Sequence, residues 1–282
     1  MIHTTLIAVE DLARSIDRCL VIDCRHDLAD PAAGRRAYDD GHVPGAHFLS
    51  VDADLSGAKT GRNGRHPLPE REAFRARLAA LGATDDVQIV AYDGHGGQFA
   101  GRLWWMARWI GHLAVAVLDG GIEAWRQAGY PVVREPAVAR PGALSERASR
   151  VHAVDADAVA AGLADGQWKV IDARAAQRYA GEVEPLDPVA GHIPGAVNRP
   201  FQQNLRADGR FKPAAVLRAE FDALLGGQPA DRVVHQCGSG VSALNNLIAM
   251  EYAGLEGSML YPGSWSEWCA DPARPVATGP RP

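Results

Sequence analysis

The chain has 282 residues, 47% hydrophobic and 22% charged, with a formal net charge of −5. That length suits one large domain or two of ordinary size, and the composition is that of a globular protein with a real core. The acidic balance excludes a broad nucleic-acid surface, so any anion site must be local, and no stretch approaches the ~20 continuous apolar residues of a membrane span.

The opening, MIHTTLIAVEDLARSID, lacks a basic region followed by an apolar core, so no secretory signal is expected. Four widely spaced cysteines (Cys19, Cys24, Cys237, Cys269) include no CxxC pair, which predicts neither a disulfide framework nor a metal site and points to a reduced, cytoplasmic setting. In chain order, Val21–Asp23 reads as a strand, GHVPGA at 41–46 as a turn and PEREAFRARLAALG as a helix. Val87–Tyr92 and Val115–Leu118 follow as strands, with Trp104, Trp105 and Trp109 between them at helical spacing, as core or interface packing. The segment at 134–150, with two prolines, scattered charge and little apolar periodicity, reads as a linker. Beyond it come strands at Val170–Asp172 and Arg232–Gln236 and a helix in SALNNLIAMEYAGL.

The two halves echo each other. VIDCR at 21–25 returns as VIDAR at 170–174, GHVPGA as GHIPGA at 191–196, IVAYDG at 89–94 as VVHQCG at 233–238, and LDGGIEAW at 118–125 as YPGSWSEW at 261–268. Four echoes in the same order at nearly constant offset predict two copies of one fold, over 1–133 and 151–282. Short continuous apolar strands alternating with helices predict that each copy is α/β, a mostly parallel sheet covered on both faces.

One turn stands apart. HQCGSG follows an apolar run and precedes a helix expected to begin near Val241 or Ser242, so Cys237 falls at the carboxyl end of a strand, where open α/β sheets place ligands. Gly238 and Gly240 let the backbone curl so that successive N–H groups of Gly238, Ser239, Gly240, Val241 and Ser242 converge as an anion cradle, aided by the start of the helix. That environment favours a thiolate. From the turn alone, a small buried hydrophobe in a tight bend is an equal reading.

CGSGVSA, together with GHIPGA after an Asp-x-Arg strand and the closing GSWSEW, resembles the tandem rhodanese-like sulfurtransferases, closest to their 3-mercaptopyruvate branch. The resemblance covers nearly the whole chain, duplication and linker included. It implies that Cys237 takes a sulfane sulfur from a small anionic donor as a persulfide, then hands it to a thiol such as thioredoxin or to cyanide; no cofactor, metal, nucleic acid or membrane is required. The first copy carries Asp93 in the cysteine's place and is expected to be silent. Ser239 is implied to work with His66 and Asp52 at a site between the two copies, in a single chain that needs no partner subunit, with His66 relaying a proton. Arg178 matches the family's substrate-binding arginine, whose planar fork suits a carboxylate or thiosulfate; its bland alternative is a surface pair with Glu182. Where that branch often has a second arginine, this chain has Leu186. Rhodaneses proper have Cys-Arg-Lys-Gly in the loop, and Gly238 and Ser239 replace those cations here, which favours 3-mercaptopyruvate over thiosulfate.

The Asp-x-Arg pairs (Asp23 and Arg25, Asp172 and Arg174) are expected to brace loops, and His42 and His192 to be structural, since they recur in both copies. Trp265 and Trp268 are expected to pack beside the active loop, or simply in the core. A Cys-x5-Arg phosphatase is excluded, because the sixth residue after Cys237 is Ala243, not the arginine that clamps phosphate. A non-catalytic rhodanese-fold binding or sulfur-sensing module is the alternative of another class; the intact Cys-Gly-Ser-Gly loop argues against it.

Overall fold

The structure is a computed structural model that describes residues 2–282. It separates into two compact units, 1–57 with 68–150 and 205–211, and 58–67 with 151–204 and 212–282.

The first unit runs β1 (Leu6–Ile7), α1 (Val9–Ser15), β2 (Cys19–Asp23), α2 (Ala33–Asp40), β3 (His47–Phe48), α3 (Arg71–Leu81), β4 (Gln88–Tyr92), α4 (Ala100–Trp109), β5 (Val115–Leu118) and α5 (Gly121–Gln127). Its sheet has the order β1-β5-β4-β2-β3, with every pairing parallel. The second unit runs α6 (Ala156–Ala164), β6 (Lys169–Asp172), α7 (Ala176–Tyr179), β7 (Val197–Asn198), α8 (Ala214–Leu225), β8 (Val233–Gln236), α9 (Ala243–Tyr252), β9 (Met259–Leu260) and α10 (Ser264–Trp268). Its order is β7-β6-β8-β9, again all parallel. The fold class read from the echoes is therefore the one observed. Strands β4 and β8 are buried along most of their length because helices cover both faces.

The same device braces both sheets. Arg25 chelates the Asp23 carboxylate and reaches the Gly41 carbonyl at 2.8 Å; Arg174 does the same with Asp172 and the Gly191 carbonyl, also at 2.8 Å. A buried carboxylate at a strand end is tolerable only with such charge-assisted partners, and the fork ties it to the neighbouring turn. In those turns His42 and His192 each bond through Nδ1 to a main-chain carbonyl, of Tyr38 and Tyr179, at 2.8 Å. Each ring also stacks on that tyrosine at 3.8 Å between centroids. These histidines are structural, as their recurrence suggested. Trp104 and Trp105 are buried, and Trp265 and Trp268 pack with Tyr261 and Val234 in the core of the second unit. No helix among the described residues is long and apolar enough to cross a membrane.

Candidate active site

Strand β8 ends at Gln236, so Cys237 opens the turn at the carboxyl end of an inner strand of its sheet. Helix α9 starts at Ala243, slightly later than the sequence pattern suggested. The carbonyls of the turn point to α10: the Trp265 N–H donates to the Cys237 carbonyl and the Ser266 N–H to that of Gly238, each at 3.0 Å. The Cys237 N–H donates to Ser264 Oγ at 3.1 Å, and that hydroxyl donates to the Tyr261 carbonyl at 2.9 Å. Gly240 has φ +73°, and a Cβ there would stand 2.3 Å from the Pro262 carbonyl oxygen, so only glycine closes this turn. Among the described residues, the N–H groups of Gly238, Ser239, Val241 and Ser242 donate to no acceptor. Buried donors without partners are costly unless an anion completes them.

The first unit contains the same turn, filled. Asp93 follows β4 as Cys237 follows β8, and its carboxylate accepts four main-chain N–H groups: His95 and Gly97 on Oδ1 at 2.8 and 2.9 Å, Phe99 and Ala100 on Oδ2 at 2.8 and 2.9 Å. In this copy the turn gathers its main-chain donors on a buried carboxyl group. Over it lie apolar groups from 205–211: Leu205 closes on Gly96 and Phe211 on Gly97, and the Phe211 N–H donates to Asp119 Oδ1 at 2.8 Å.

Over the Cys237 turn lie polar groups instead. His66 is buried and its Nδ1 meets Ser239 Oγ at 2.7 Å. Because 58–67 packs in the second unit, His66, Ser239 and Cys237 all belong to that unit. Arg178 does not pair with Glu182; its Nη2 donates to Glu184 Oε1 at 2.6 Å and lies 3.4 Å from Asp187 Oδ2. Burial opposes the Glu184 charge, yet Arg178 and the Leu186 and Asp187 N–H groups hold its carboxyl below the usual range. Arg174, stacked over Trp265 at 4.8 Å, keeps its charge against burial through Asp172, Glu184 and the sulfur of Cys237. Arg65 reaches the same place: its Nη1 pairs with Asp187. A Cβ on Gly238 would lie 2.8 Å from Arg65 Nη2 and 3.5 and 3.6 Å from the two terminal nitrogens of Arg178. The glycine after the cysteine thus makes room for two guanidinium groups.

Asp52 lies in the first unit, its Oδ2 3.7 Å from Nε2 of the buried His26. The sequence reading did not single out His26, Arg65 or Ser264. Only Arg65 left a trace, as a cation beside His66 in a polar loop. The other cysteines are poor nucleophiles. Burial pushes the Cys19 and Cys24 thiols up, and burial followed by the charge of Asp187 pushes Cys269 up to about 11.

A doubled parallel α/β fold with a buried cysteine in the turn after β8, and a carboxylate in the matching turn after β4, defines a class of tandem α/β proteins with one thiol-bearing copy. The rhodanese-like domain model matches residues 8–128 and 155–271, and the chain belongs to the tandem rhodanese-domain sulfurtransferases; it is an enzyme of that class. It is 45% identical, over 99% of its own length and 100% of the relative's, to a Pseudomonas aeruginosa protein named "Probable 3-mercaptopyruvate sulfurtransferase". It is 34% identical to thiosulfate sulfurtransferase of Bos taurus over 83% of this chain and 79% of that one. Among solved structures it resembles 3-mercaptopyruvate sulfurtransferase from Leishmania major, at TM-score 0.84 and 30% identity over 94% of this chain and 74% of the other. It also resembles SseA from Escherichia coli, at TM-score 0.79 and 31% identity over 93% and 99%.

Proposed function

We propose that the enzyme moves a sulfur atom from 3-mercaptopyruvate, by way of a persulfide on Cys237, to a thiol or cyanide. The observation that carries the reading is the set of unpartnered N–H groups after Cys237; the two in the first copy that match Ser239 and Val241, of His95 and Gly97, already hold a carboxylate oxygen. In the first step the Cys237 thiolate attacks the donor's sulfur. The carbon–sulfur bond breaks, its electron pair passes to carbon as the pyruvate enolate, and a proton delivered through Ser239 and His66 completes pyruvate. The outer sulfur of the persulfide rests in the cradle of Gly238, Ser239, Gly240, Val241 and Ser242, where fixed dipoles stabilise it without reorganising. In the second step an acceptor thiolate such as that of thioredoxin, or cyanide, attacks that outer sulfur and releases Cys237. Arg178 holds the donor's carboxylate; Asp52 joins the relay on the resemblance alone. The first copy is read as silent over 1–133, with 134–150 as connector and 151–282 as the catalytic copy. All four cysteines are free thiols, which supports a reducing, cytoplasmic setting, and one chain acting as a monomer suffices for the chemistry.

Thiosulfate is the second reading, favoured by two guanidinium groups over Gly238 that suit a dianion. Comparing kcat/KM for 3-mercaptopyruvate and thiosulfate with one common acceptor decides between them, and the first is expected to be larger. Intact-mass analysis after exposure to donor alone should show one added sulfur, absent in Cys237→Ser. Turnover surviving in that variant would refute the covalent route.

A further inference from the structure

The second arginine that the 3-mercaptopyruvate branch often has is replaced here by Leu186, which is 42% exposed. The residue after it, Asp187, is buried, with 3% of its side chain exposed, and it holds two guanidinium groups at once: an ion pair with Arg65 Nη1 and a 3.4 Å approach to Arg178 Nη2. We propose that Arg65, carried in from 58–67, is the second guanidinium of the donor site and takes the donor's carboxylate or sulfonate-type oxygens together with Arg178. The inference deepens the proposed reaction and rests on it for the identity of the donor.

Three features argue that Arg65 is more than a brace. Its main chain is pinned on both sides, by an N–H bond to Ser266 Oγ at 3.0 Å and by the neighbouring His66, bonded to Ser239 at 2.7 Å. Its side chain is 27% exposed, so one edge meets Asp187 while the other stays open to a small solute. The open edge, Nη2, lies over Gly238 beside Nη1 of Arg178, and among the described residues neither nitrogen donates to a protein acceptor. Two donors left unused, both close to the residue that follows Cys237, are placed to take one oxygen each of a small anion. Asp187 then sets both forks in place, so that little rotamer entropy is lost when the anion arrives.

The test separates charge from access. Cys237 is alkylated with iodoacetate, an anion, and with iodoacetamide, its neutral isostere. In Arg65→Gln the iodoacetate rate should fall about tenfold or more relative to iodoacetamide, the size of one lost charge-assisted hydrogen bond. KM for 3-mercaptopyruvate should rise by a similar factor while kcat holds. Arg65→Lys keeps the ion pair with Asp187 but not the fork; it should keep the thermal midpoint and part of the iodoacetate preference while KM still rises. An unchanged alkylation ratio in both variants, whatever happens to the thermal midpoint, would reduce Arg65 to a brace and overturn the proposal. A lowered ratio with unchanged KM would overturn its donor role. The alkylation ratio reads Arg65 even if Cys237 carried no sulfur, so the two readings fail separately.

Discussion

At the residue scale, a buried histidine on β8 ties the stability of the second unit to pH. His235, two residues before Cys237, is fully buried with no hydrogen-bond partner on either ring nitrogen. Burial first, and the charge of Arg199 second, push its pKa from 6.5 down to about 3. The folded state therefore refuses a proton that the unfolded chain accepts. This contribution to stability is complete above the unfolded value near 6.5 and is lost as pH falls from there toward 3, at a limiting slope of about 1.4 kcal/mol per pH unit. His235→Leu, which cannot titrate, should flatten the decline of the urea midpoint between pH 7 and pH 5; an unaltered slope would assign the acid sensitivity elsewhere. Arg178→Ala should raise KM for anionic donors by about tenfold or more, and should also loosen the turn that Glu184 ties through the Leu186 and Asp187 N–H groups. A lower thermal midpoint with KM unmoved would return Arg178 to a bracing role. Cys237 was legible because strand, glycine turn and helix are contiguous. Arg65 was not, because its meaning lies in the approach of its guanidinium to Gly238, which no spacing along the chain encodes.

At the element scale, the five inner strands and two helices read from the pattern were placed within two or three residues, since continuous apolar runs and 3.6-residue periodicity follow from burial; the two-residue edge strands were not read. What escaped was the dependence of one element's end on another's start. Ser264 opens α10 with φ 54°, the one non-glycine residue at positive φ among the described residues; its counterpart in the first copy is Gly121, at φ 57°. A serine in that region carries about 1–3 kcal/mol of strain, and its hydroxyl is what receives the Cys237 N–H. Losing that acceptor lets the start of the turn shift, so Ser264→Ala and Ser264→Gly should both lower kcat for sulfur transfer with KM little changed. The glycine variant, freed of strain, should be the more stable of the two by about 1 kcal/mol in chemical denaturation. If alanine proves the more stable, the backbone there is not strained. The other end of the turn leads into α9, whose Asn245 and Asn246 meet the buried Asn204 at 2.9 and 2.6 Å. This polar pair inside an otherwise apolar helix is a clamp in the fold.

At the scale of the whole molecule, duplication placed a like turn after β4 and after β8 and left two ways to finish it. One is closed: a carboxylate inside, with Leu205 and Phe211 over its glycines. The other is open: a thiol inside, with Arg65 and His66 over its glycine and serine. The echoes made the doubling plain, but they could not show that 58–67 and 205–211 pack away from the half of the sequence in which they occur, because a short polar or mixed loop has no periodicity to say where it docks. The contrast predicts a division between stability and activity. In Asp93→Asn the amide has one accepting oxygen, and its NH2 group faces N–H donors that the second carboxylate oxygen had received. Leaving charge-assisted bonds unmade in a buried site should cost about 2–4 kcal/mol in chemical denaturation. On the proposed reading the first copy is silent, so kcat/KM for 3-mercaptopyruvate measured below the new midpoint should remain at the wild-type value. A parallel fall in kcat/KM would mean that the first copy takes part in the chemistry; an undiminished midpoint would mean that the four N–H groups do not depend on a full negative charge, and with it would go the argument that the turn after Cys237 is shaped for one.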